Sequence, residues 1–111
     1  MTFADLGSGL NQVKQGLQFA HFAWSSAPSG DYGTYEESNL PQFVASNRNV
    51  ENTTRGYVNL FTRDDSGATQ KKVEDYFRDL QEKEVFAWGV NTIQYENTTK
   101  FIHIEWEVEL A

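Results

Sequence analysis

The sequence predicts an α+β fold: an antiparallel β-sheet with two helices packed on one face, in the order α-β-β-(β)-β-α-β-β. Three observations carry this expectation. Apolar residues recur at helical spacing in two places, residues 3–17 and 68–82. The remaining chain holds short segments rich in aromatic and β-branched side chains, and the last of them alternates strictly. Turn chemistry separates these segments, so sequential strands are expected to pair antiparallel while amphipathic helices cover one side.

In the first helix Phe3, Leu6, Leu10, Val13 and Leu17 form one apolar stripe. Thr2 can cap it with Asp5 three residues on. Gly7, Gly9 and Gly16 each cost about 1 kcal/mol against Ala in a helix interior, so this helix needs tertiary packing. Residues 18–25, with Phe19, Phe22 and Trp24, read as a strand. Ala27-Pro28-Ser29-Gly30 is a turn, and Tyr32-Gly33-Thr34-Tyr35-Glu36 a second strand. Asn39-Leu40-Pro41 breaks it, and Phe43-Val44-Ala45 is a candidate short third strand. Residues 55–63 carry Val58 and Leu60 on one face and Tyr57 and Phe61 on the other, the pattern of a central strand.

Asp64-Asp65-Ser66-Gly67 leads by a turn into the second helix, residues 68–82. Val73, Tyr76, Phe77 and Leu80 make its buried face, and Glu74 with Arg78 an i,i+4 pair on the exposed side. Residues 85–95 form the next strand and Asn97-Thr98-Thr99 a turn. In residues 100–110, Ile102, Ile104, Trp106, Val108 and Leu110 point one way, and His103, Glu105, Glu107 and Glu109 the other. Trp106, Ile104, Leu60, Val73 and Phe77 are therefore expected between sheet and helices.

With 111 residues, 9 basic and 16 acidic side chains, the chain reads as one domain, residues 1–111, with a net charge of −7. The acidic balance weighs against specific nucleic-acid binding, which draws on neutralised phosphates. No apolar run approaches the roughly 20 residues of a membrane-spanning helix, so no membrane partner is expected. The N-terminus lacks a basic region ahead of an apolar one, so cytoplasmic synthesis is expected. Cysteine is absent, which excludes disulfides and thiolate chemistry.

No enzyme signature emerges. His21 and His103 are the only histidines, and neither has a metal-ligand partner at short spacing. Phosphate-loop, nucleophile-elbow and zinc-protease patterns are missing. The expectation is therefore no catalytic residues, no cofactor and no metal. Glu105, Glu107 and Glu109 stand apart, since three carboxylates on one strand face repel unless that face is wet or meets cations. They form a candidate acidic surface. Residues 39–55 make a connection longer than the usual 4–6 residues or so, and such connections are often functional. Phe43 and Val44 as apolar anchors, with Arg48 and Glu51, mark a candidate interface with a neighbouring subunit or partner.

Several segments recur in an order known elsewhere: Phe19-Ala20-His21-Phe22-Ala23-Trp24, Tyr32-Gly33-Thr34-Tyr35, residues 58–64, Ile93-Gln94-Tyr95-Glu96 and residues 100–106. Together they resemble the tail-terminator, or tail-completion, proteins of long-tailed bacteriophages over about residues 15–110. The resemblance implies an antiparallel sheet carrying two helices. It also implies a non-enzymatic assembly protein that forms a homo-oligomer, a six-membered ring on the tail tube. Such a ring stops tube elongation and joins the tail to the head. The implied partners are the tube protein and the head connector, and the implied location is the virion tail or neck after assembly in the host cytoplasm. Other head–tail connector, neck or minor capsid components remain the alternative in the same class, and a small enzyme or ligand-binding α+β domain the alternative outside it.

Overall fold

A computed structural model describes residues 1–38 and 53–111. Seven elements follow in order: α1 (Phe3–Leu10), β1 (Gln18–His21), β2 (Tyr32–Glu37), β3 (Thr54–Thr62), α2 (Ala68–Glu82), β4 (Phe86–Tyr95) and β5 (Ile102–Leu110). The class and the element order match the expectation. The candidate third strand at Phe43-Val44-Ala45 and the interface candidates Phe43, Val44, Arg48 and Glu51 lie outside the described residues.

Five strands form one sheet in the order β1-β2-β3-β5-β4. β3 is central, as its apolar residues on both faces require. β2–β3, β3–β5 and β4–β5 pair antiparallel. β1 and β2, however, pair parallel, with Phe19 opposite Gly33. The sheet is therefore mixed rather than wholly antiparallel. The reason lies in the connection. Phe22 leaves β1 with φ 70°, and residues 22–31 run back along the sheet, a crossover instead of a tight hairpin. Trp24 fastens that return, its indole N–H donating to the Gly33 carbonyl at 2.8 Å.

α1 starts as expected: Asp5 N–H donates to Thr2 Oγ1 and Thr2 N–H to Asp5 Oδ2. It ends earlier than the apolar stripe does. Asn11 caps it, donating from Nδ2 to the Gly7 and Phe19 carbonyls while its Oδ1 accepts the Phe19 N–H at 2.6 Å. The chain then turns through Gly16 at φ 87° and returns Leu17 to the core outside any helix. α2 begins after Gly67 at φ 85°.

The core lies between one sheet face and the two helices. Leu6 and Leu10 of α1 and Val73 and Phe77 of α2 meet Val58, Leu60, Ile104, Trp106, Val108 and Leu110 of β3 and β5. All five residues expected there are buried, and Trp106 is fully so. Its ring meets Phe77 edge-on at 5.4 Å. One detail differs from expectation. Glu74 is not on the solvated side of α2: its side chain is 13 % exposed, and it accepts the Trp106 indole N–H at 3.0 Å while keeping Arg78 at 3.6 Å.

Candidate functional site

The second face of the sheet carries no helix among the described residues, and pairing register decides what it displays. β5 contributes His103, Glu105, Glu107 and Glu109, as the alternation foretells. Opposite them β3 sets Phe61, Asn59, Tyr57 and Arg55, and β4 sets Gln94, Thr92, Gly89 and Ala87. Two regions result, an aromatic one and an acidic one.

The aromatic region crosses three strands. Tyr32 stacks on Phe61 at 4.9 Å, and Phe61 stacks on His103 at 4.2 Å. Phe101 meets Tyr32 and Phe61 edge-on, and the Arg63 guanidinium lies 4.0 Å from the Phe101 ring centre. Arg63 is held there by the Thr99 and Ser29 carbonyls, each at 3.1 Å. His103 Nε2 and Asn59 Oδ1 lie 2.7 Å apart in a hydrogen bond, so this histidine is a half-buried strand residue with its Nε2 occupied. His21 is likewise taken up, by Glu37 Oε1 at 2.7 Å and the Tyr35 ring. The hydrogen bond from His21 holds the Glu37 carboxyl below the usual glutamate range.

The acidic region gathers all three carboxylates expected from the sequence on one face. Their surroundings differ. Glu105 accepts from Asn91 Nδ2 at 2.7 Å, where a register shift between Val90 and Thr92 places Asn91 beside it. Glu109 accepts from Thr53 Oγ1 at 2.8 Å and has Arg55 Nε at 3.8 Å. Glu107 has no hydrogen-bond or ion-pair partner among the described residues. Ala87 and Gly89 present almost no side chain beside them. A shallow groove of about 280 Å³ results, lined by Arg55, Ala87, Gly89, Asn91, Glu107 and Glu109 together with the rim of β4. Its charged lining is two carboxylates, Glu107 and Glu109, and one guanidinium, Arg55. No group of three or more His, Cys, Asp or Glu among the described residues is arranged to hold a metal ion.

The rim itself is the feature that sequence reasoning missed. β4 is the outermost strand on this side, and its residues from Gly89 to Tyr95 are exposed. Val90, Ile93 and Tyr95 share the helix-side face but extend past the cover of α2, at 46 %, 55 % and 56 % exposure. Their apolar character was legible; that β4 is an edge was not, because strand order depends on pairing. No helix among the described residues is long and apolar enough to cross a membrane. No family model matches the chain, and no curated protein matches it significantly.

Proposed function

We propose that this chain is a non-enzymatic subunit of a bacteriophage tail, one that caps the finished tail tube as a six-membered ring, stops its elongation and joins tail to head. The observation that supports the reading most is the exposed apolar rim of β4. Three large apolar side chains on a strand edge that is open among the described residues are unusual for a subunit that works alone, and natural as contact surface for another protein of an assembly. The resemblance of the aromatic segments to tail-terminator proteins supplies the particular assembly. Beside the rim, the sheet face with Glu105, Glu107 and Glu109 offers a second surface, to which the tube protein or the head connector would bring cations.

The test is a capping assay. Purified tube protein polymerising in vitro should stop at shorter lengths when this chain is added at stoichiometric amounts per tube end, and electron micrographs should show it at one end only. Unchanged tube lengths with no end-bound density would refute the reading. Binding at the head connector but never at the tube would move the chain to a neck component.

A further inference from the structure

The two edges of the sheet are built differently. At β1 the Asn11 side-chain amide accepts the Phe19 N–H and donates to the Phe19 carbonyl, the pair of bonds an additional strand would make. That edge is occupied. β4 offers ten residues, Phe86–Tyr95, without one Asp, Glu, Lys, Arg or Pro. Those are the residues with which proteins usually discourage strand addition.

The two flanks of β4 state what an added strand would need. On the helix side, Val90, Ile93 and Tyr95 ask for apolar cover. On the open side, the small Ala87 and Gly89 leave a groove between the edge and the carboxylates of Glu107 and Glu109. We infer that β4 accepts an extended segment of a partner protein as a sixth strand, and that this segment alternates cationic with apolar side chains. An added strand would lie about 10 Å from β5, two strand spacings away. A Lys or Arg side chain spans that gap over Ala87 and Gly89 and meets Glu107 and Glu109. Its apolar neighbours fall on the opposite face, over Val90, Ile93 and Tyr95.

A second copy of this chain fits less well. None of its described strands contains more than one Lys or Arg. β4 paired with itself would leave Glu107 without a cation, and β1 is closed by Asn11. The inference goes beyond the ring, since strand addition is measurable on a single subunit.

The probes are synthetic nonapeptides titrated into the full chain, with binding read by fluorescence anisotropy and amide hydrogen exchange. A peptide alternating Lys and Val is expected to bind and to protect β4 amides. One alternating Glu and Val should bind about tenfold more weakly or less, from the loss of the carboxylate contacts. The double variant Glu107→Gln, Glu109→Gln should weaken the Lys peptide to a similar degree, with the fold unaffected at these surface positions. N-methylation of alternate peptide nitrogens should abolish binding. Equal binding by a peptide with its Lys and Val in separate blocks, or by the N-methylated one, overturns the inference. So does protection away from β4, the absence of any binding, or β4 protection without peptide in a chain of dimer mass.

Discussion

Trp106 shows how one residue ties sequence to fold. It is fully buried, and its indole N–H is satisfied by Glu74 Oε2 across the sheet–helix boundary. Trp106→Ala should cost about 3–5 kcal/mol in urea unfolding, from lost contacts and the cavity left behind. Glu74→Ala should cost about 1–3 kcal/mol by leaving a buried N–H unpaired, and should cost little in a Trp106→Phe background. An unchanged midpoint for Trp106→Ala would place β5 one residue out of register. The inward direction of Trp106 was legible in the alternation of residues 102–110. The partnership with Glu74 was not, because helix periodicity puts Glu74 beside Arg78 and says nothing of a tryptophan on another element. Asp64 carries a second residue-scale expectation. Ser66 and Thr69 both donate to its carboxylate from backbone N–H and side-chain hydroxyl, which lowers its pKa from 3.8 to about 2. A lowered carboxyl pKa stabilises the fold above the unfolded value and loses that contribution as pH falls from about 4 toward 2. Asp64→Ala should therefore lower the melting temperature at pH 7, and the gap between variant and parent should narrow as pH falls from about 4 toward 2.

At the scale of elements, α1 separates burial from helicity. Its apolar stripe continues to Leu17, and Leu17 is indeed buried, yet the helix stops at Leu10. Periodicity reported which residues reach the core; Asn11 decided where the helix ends, by turning its side chain to Phe19. Asn11→Ala should remove the bonds to Gly7 and Phe19, costing about 1–2 kcal/mol, and should speed exchange of the Phe19 amide selectively. Equal exchange in variant and parent would mean that the β1 edge is protected by something else. α1 also explains two glycines that looked only costly. A Cβ at Gly7 would run into the Tyr35 ring and one at Gly9 into the Tyr76 ring, so these glycines let the helix lie close to its neighbours. The parallel pairing of β1 with β2 was illegible for a related reason. The turn residues announced a reversal, but only the left-handed Phe22 and the docking of Trp24 make the chain cross over before β2 begins.

For the whole molecule, if the proposed ring encloses the path of the genome, a net charge of −7 per chain multiplied around it would keep a passing duplex from adhering, since like charges repel within about 10 Å at 0.1 M salt. Duplex DNA at low salt is therefore expected to bind more weakly than about micromolar in an electrophoretic shift assay, whereas tighter binding would mean the charge is arranged for another purpose. The acidic face was legible as a row of three glutamates; the groove beside it needed Ala87 and Gly89 to be brought alongside by the β4–β5 register. Assembly is the property from which the rest of the functional reading follows. Light scattering coupled to size exclusion, on the purified chain alone and mixed with tail tube protein, measures it most directly. A single species of about six times the 12.7 kDa chain mass, formed alone or on the tube, is the expected result. A strict monomer at every concentration, with and without the tube protein, would contradict it.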